Sequence, residues 1–281
     1  MKRFLAMILM ALSFGMVHTA WAQTCNNASL NGKYVLDGQG DTYQTCILGV
    51  LCTQHSTLST TGYVVADGNG NITSARLFEA TNSGVQDTGI VQGAGTYSVT
   101  NCDSGTLNLA LNGQSMTFNM DVDEVDANGL AHSAAALDGD AGYDEALRMI
   151  RTVDPTGALA CSTGTTLNGR QTNGIERGHD TSGNPRSSLT YLNFNGGSIT
   201  GGEKIGTPTG FTTSAISGTY TMNADCSVVM TRVVNGVTTA GAHIVSGGDS
   251  SAPARHSFAW QGDYMSEMYG SSYGGGGTDG Y

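Results

Sequence analysis

Charge is scarce in this chain: Asp, Glu, Lys and Arg together make up 12% of its 281 residues. Proline is scarcer still, at 4 residues, and tryptophan stops at 2. No basic cluster occurs, which argues against nucleic acid and anionic lipid as partners, since both require a positive footprint. After residue 22 no apolar run approaches the ~20 residues that a membrane helix needs. There is no Cys-x-x-Cys pair, so the zinc-site spacings are missing, and no cofactor is expected. What is abundant is glycine, at 41 residues, set among alternating apolar positions. That combination reads as many short strands joined by glycine turns rather than as disorder.

Residues 1–22 have the form of an export signal. Lys2 and Arg3 supply the positive start, Phe4 to Val17 the apolar stretch, and Ala20-Trp21-Ala22 a small-x-small cleavage site. Cleavage after Ala22 would leave a soluble chain beginning at Gln23, in the periplasm or outside the cell. Cys25 stands behind Gln23 and Thr24 rather than directly after the cut, which speaks against a lipoprotein. Losing Lys2 and Arg3 removes two positive charges and takes the net charge from −11 to −13. Acidity of this kind concerns solubility first.

The chain repeats itself. Gly95-Thr96-Tyr97-Ser98-Val99 running into Cys102 returns as Gly218-Thr219-Tyr220-Thr221-Met222 running into Cys226. After each cysteine comes an Asn-Gly pair, Asn112-Gly113 and then Asn235-Gly236. His132-Ser133 and His256-Ser257 follow at equal distances from Cys102 and Cys226. Val64 to Thr73 aligns without a gap on Tyr191 to Thr200. Such recurrence marks a duplicated unit. The six cysteines, an even number in an oxidising compartment, predict disulfides. Each unit opens with a cysteine before a Leu-Asn-Gly-basic tetrad and carries a second after its Gly-Thr-Tyr strand. Cys25 with Cys102 and Cys161 with Cys226 is therefore the economical pairing. Cys46 and Cys52 remain to close a small local loop, in an insertion that only the first unit has.

The strand signals are clearest between Leu107 and Val122. Leu107, Leu109 and Leu111 alternate with polar or small residues, Asn112-Gly113 turns, and Met116, Phe118, Met120 and Val122 alternate on the way back. Period-two alternation around Asn-Gly predicts a hairpin with one apolar face. Further strands are expected over 33–36, 61–66, 71–79, 94–100, 130–137 and 145–153, although 144–150 also fits a helical turn. The reading is all-β: two tandem antiparallel up-and-down barrels of about eight strands each, with β-sandwiches as the alternative. The expected divisions are 1–22 signal peptide, 23–157 first barrel, 158–269 second homologous barrel, and 270–281 a flexible Gly/Ser/Tyr-rich tail. Strands so short and poor in aromatics do not fit an outer-membrane barrel.

Cys25 to Gly32, Asp67-Gly68-Asn69-Gly70-Asn71, Gly95 to Cys102 and the turn from Thr152 to Gly157, with Val153 and Thr156 inserted, form a recognisable set. With them the chain resembles secreted bacterial duplicated β-barrel domains of the calycin, or lipocalin-like, kind. The second unit matches only at Leu167-Asn168-Gly169 and Gly218 to Cys226. The resemblance implies a fold and no activity.

Few residues stand out as chemistry. His132 and His256 occupy equivalent positions and are pocket candidates, with Met116, Phe118 and Met120, which read first as core. Gly270-Ser271-Ser272-Tyr273-Gly274 mimics a nucleophile elbow but lies in the tail, without the strand and helix that the motif needs. Gly248 to Pro253 faintly echoes a serine-protease string. Asp121, Asp123, Glu124 and Asp126, and then Asp138, Asp140, Asp144 and Glu145, lack the spacing of a calcium loop and read as solvated turns. The expectation is a non-catalytic extracytoplasmic protein that binds a small apolar molecule in its barrels. A surface or matrix protein that meets another surface protein is the alternative. A hydrolase or cyclase using His132 or His256 is a further one.

Overall fold

The computed structural model describes residues 24–47, 51–81, 84–140, 143–151, 170–179, 185–207, 210–245, 256–260 and 264–268. Within them, one short 3-10 turn (Asn27–Ser29) precedes a chain of strands. The first sheet comprises β1 (Asn31–Ile47), β2 (Leu51–Asp67), β3 (Asn71–Thr81), β4 (Gly84–Asp87), β5 (Val91–Asn101), β6 (Ser104–Leu111), β7 (Gln114–Val125), β8 (Ala131–Asp138) and β9 (Tyr143–Arg151). The second comprises β10 (Arg170–His179), β11 (Pro185–Asn195), β12 (Ser198–Thr207), β13 (Gly210–Met222), β14 (Ser227–Val234), β15 (Val237–Val245), β16 (His256–Trp260) and β17 (Tyr264–Met268).

Closure decides between barrel and sandwich. In the second sheet β17 pairs back onto β10, and the strands form a closed antiparallel barrel. In the first, β1 pairs with both β2 and β9, while β2 also pairs with β3. The ladder therefore runs in a ring through β3, β5, β6, β7, β8 and β9 back to β1. Closing the ring removes the exposed edges that a sheet of this size would otherwise present. β5 pairs with β3 only as far as Ala75, and β4 takes over the same edge from Phe78 to Thr81. β4 had no sequence signal.

The Asn-Gly turns behave as expected. Asn112 and Gly113 have φ of 52° and 85°, and Asn235 and Gly236 have 51° and 80°. This left-handed pair is what a two-residue hairpin requires. The same contact also recurs: Tyr97 N donates to Gly70 O at 2.8 Å, and Tyr220 N to Gly197 O at 2.8 Å. Upstream the ungapped alignment slips by one residue. Ile72 pairs with Ala66 but Ile199 pairs with Phe194, because residues 68–70 make the first turn and only 196–197 the second. Cys46 and Cys52 stand opposite each other near the end of the long β1–β2 ladder, bracketing the short loop they were expected to close; the strands that carry them there were not expected. Apart from Tyr43, residues 37–45 are glycine and polar, so no apolar alternation announced that extension. The stretch read ambiguously at 144–150 is strand.

One end of the first barrel is plugged. Cys25 and Cys102 form a disulfide across 77 residues of sequence, and Leu30 is buried beside it. The Tyr97 hydroxyl reaches the carbonyls of Leu30 at 2.7 Å and Asn27 at 2.9 Å. Above the plug the interior is filled by Tyr34, Leu36, Ile72, Leu77, Leu107, Leu109 and Phe118, all buried. The second barrel has its own cluster around Phe194 and Tyr220, whose rings meet edge to face at 5.2 Å.

The barrels touch through their walls. Val35, Tyr63 and Phe78 point outward from β1, β2 and β3 and pack with Ala242 of β15. Asp225, in the turn before β14, accepts from Arg76 Nη1 at 2.9 Å and from the Tyr63 hydroxyl at 3.3 Å. Lys33 Nζ donates to the Asp225 carbonyl at 3.1 Å and lies 4.0 Å from the Tyr63 ring centroid. Burial alone would raise Asp225, but hydrogen bonds from Ser227 and Arg76 reverse this and hold its carboxyl below the usual range.

Candidate functional site

The end of the first barrel opposite the plug is built differently. Residues that alternate into the interior along β9 are Met149, Leu147 and then Glu145; along β3 they are Ala75, Leu77 and then Glu79. Between them, β1 offers glycine and β2 offers threonine. Gly38 stands opposite Leu147 on one side and Thr60 on the other, and Thr60 stands opposite Glu79. A side chain at 38 would block this row. A Cβ placed there would lie 2.9 Å from Glu145 Oε1 and 3.3 Å from Thr60 Cβ. The glycine thus lets Glu145, one ladder step further out opposite Gly40, lean across β1 towards Thr60 and Glu79.

Glu145 is only 3% exposed and Thr60 1%. Neither Glu145 Oε1 nor Thr60 Oγ1 has a hydrogen-bonding partner. Leaving buried polar atoms unmade costs free energy, so this pair calls for an explanation. Burial pushes the Glu145 carboxyl up to about 7; proximity to Thr60 offsets part of the rise, and the charges of Glu79 and Asp138 add to it. Burial raises Glu79 as well. Asp138 is raised by burial, with Asp140 and Asp144 adding repulsion. The groups acting on Glu145 are thus a hydroxyl and two further acids, none of them cationic. Glu145 had been grouped with Asp138, Asp140 and Asp144 as a solvated turn; for Glu145 the burial overturns that reading. Asp140 does serve a turn, accepting from Thr117 N at 2.9 Å.

The second barrel buries a different polar set. Ser188, Thr190, Glu203 and Arg232 are each under 5% exposed. Arg232 Nε donates to Thr239 Oγ1 at 3.4 Å. It stands opposite Gly218, where the first barrel sets Leu109 opposite Gly95. One guanidinium has taken the place of a leucine.

The residues singled out from the sequence fall elsewhere. Phe118 and Met120 are in the apolar core of the first barrel, with Met116 packed against it. His132 is exposed. It sits where the β7–β8 register shifts, between the pairs Glu124–Ser133 and Val125–Ala131. A bulge of this kind re-aims side chains, and His132 is not among the groups acting on Glu145. His256 opens β16, opposite Val245 and Met268, and its side chain lies outside the described residues. So do the two serine strings and Cys161. Cys226 is buried and disulfide-bonded. Asp126, in the first acidic knot, closes its own loop: its carboxylate takes Asn128 N at 2.8 Å, Leu130 N at 3.1 Å and Arg151 Nη2 at 2.7 Å.

Sequence reasoning missed Glu79, Glu145, Thr60, Glu203 and Arg232. A signal existed. Each of the four charged or hydroxyl residues Glu79, Glu145, Thr60 and Arg232 occupies the apolar phase of an otherwise alternating strand, the position where a polar residue needs a reason. No protein-family model matches the chain, and no curated protein matches it significantly.

Proposed function

We propose that this is a secreted, non-catalytic protein of two tandem calycin-like barrels that binds a small, largely apolar molecule at the end of the first away from its disulfide. One observation carries the reading: Glu145 Oε1 and Thr60 Oγ1 are buried without hydrogen-bond partners, at the end of the first barrel away from the Cys25–Cys102 disulfide. Small barrels of about eight strands are either filled or hold one ligand near the mouth. Binding sites are apolar with a few convergent polar groups. Here Leu58, Leu77 and Leu147 supply the apolar wall. The Cys25–Cys102 disulfide fits an oxidising compartment. No helix among the described residues is long and apolar enough to cross a membrane. The recurring Tyr–Gly hydrogen bond and Asn-Gly geometry support a duplication.

Native mass spectrometry of the mature protein from its own compartment, repeated after denaturation, tests this. The expected native mass exceeds the denatured mass by one ligand, roughly a few hundred daltons for a drug-sized guest. Identical masses with dimers or higher species would overturn the binding role. They would favour a surface-interaction role, for which the exposed Leu189, Tyr191 and Phe211 on the outer face of β11 and β13 are the supporting observation. Tyr191 lies across Gly202, and Lys204 Nζ is 4.6 Å from the Phe211 ring centroid, so these side chains form one patch.

A further inference from the structure

We infer that the guest of the first barrel is a primary or secondary amine, held as its ammonium by Glu145 and Glu79 with the Thr60 hydroxyl as a third acceptor. This rests on the binding role proposed above and names the chemical class of the ligand. Glu145 Oε1 and Thr60 Oγ1 are buried acceptors without partners, and both lie beside the gap left by Gly38. Glu79 shares the ladder row of Thr60. An ammonium offers N–H donors that can meet several acceptors at once, and its charge would relieve the repulsion among Glu145, Glu79 and Asp138.

A neutral apolar guest leaves those acceptors unmade, and a carboxylate or phosphate guest would add like charge. A metal ion is the poorer fit. It needs a closed shell of oxygen ligands, and among the described residues no three carboxylate, histidine or cysteine side chains converge in a metal-holding arrangement. The acidity of the chain, net −11, also draws cations towards it.

The charged groups facing Glu145 are Glu79 from β3 and Asp138 from β8, with Asp140 and Asp144 acting through Asp138. Below neutral pH Glu145 holds a proton, and an arriving ammonium must displace it. Binding therefore releases a proton in acid solution and none in base.

The experiment is isothermal titration of the mature, delipidated protein with octylamine hydrochloride and, separately, with 1-octanol. Each titration is run in two buffers of different ionisation enthalpy at pH 6 and pH 8.5. The expected result is octylamine binding that releases about one proton at pH 6 and almost none at pH 8.5. Octanol should bind more weakly, and Glu145→Gln should weaken octylamine roughly tenfold or more and abolish the proton release. Equal binding of octanol and octylamine would overturn the amine assignment and leave the binding role standing. Binding of neither would overturn both. If Glu145→Gln does not fold, proton release by the wild type decides alone: octylamine binding without release at pH 6 sinks the inference.

Discussion

The two barrels solve the same enclosure problem with different interiors. The first is plugged at one end by Leu30 and the Cys25–Cys102 disulfide, is apolar through its middle, and carries unpartnered acid at the other end. The second keeps an apolar floor around Phe194, Tyr220 and Met222 but buries Arg232, Glu203, Ser188 and Thr190 in the body of the barrel. A buried arginine in place of a leucine contributes little net stability, because desolvation offsets what its contacts return. A buried acid with no cation acting on it does not stabilise the barrel either. The difference is one of charge: the second barrel buries Arg232 along with Glu203, whereas the groups acting on Glu145 in the first are a hydroxyl and two further acids.

Four changes would break or sharpen that contrast. Phe118→Ala should cost most, about 4 kcal/mol by urea unfolding, since it empties the packed middle of the first barrel. Replacing Cys25 and Cys102 together by Ala should cost roughly 3–4 kcal/mol, read by the same urea unfolding, through the long loop they close.

Glu145→Gln should show the opposite sign. The carboxyl is pushed up to about 7 when folded, so the folded chain keeps a proton that the unfolded chain gives up near pH 4.5. Stability from this group is intact below that pH and lost as pH rises towards 7, on the order of 3 kcal/mol in all. The Gln variant should therefore match wild type at pH 4, exceed it at pH 8, and show a flatter pH profile in thermal melts. A Gln variant less stable than wild type at pH 8 would mean that Glu145 already has a partner. Arg76→Ala should cost the least, about 2 kcal/mol, by removing the hydrogen bonds to Asp225 and Ser227. Calorimetry should then resolve two transitions where the coupled barrels give one.

Much of the strand pattern was legible in the sequence, for a physical reason. The hairpin from Leu107 to Val122 has one wet and one buried face, so its alternation is written in side-chain chemistry. The pairing of Cys25 with Cys102 was legible through the recurrence of the Gly-Thr-Tyr strand. Closure was not, because it depends on β1 meeting β9 and β10 meeting β17, contacts between segments with no local trace of one another. The outer part of β1 was also hidden, since glycines at 38 and 40 carry no side chain to alternate. The candidate site was missed because Glu145 was grouped with its neighbours in sequence, Asp138, Asp140 and Asp144. Its spatial neighbours, Thr60 and Glu79, come from strands on the far side of the chain.

The closure of β1 onto β9 also has a kinetic meaning. The chain emerges with β1 first, yet β1 cannot gain its second partner until Tyr143 to Arg151 have been made. Cys25 likewise waits for Cys102. Until then one flank of β1 is an open edge, able to pair with a neighbouring chain. Contacts this distant in sequence form slowly. Whatever shields the growing chain must therefore do so for the whole length of the first barrel, and an oxidant that acted early would find only the wrong cysteines, Cys46 and Cys52, within reach of Cys25.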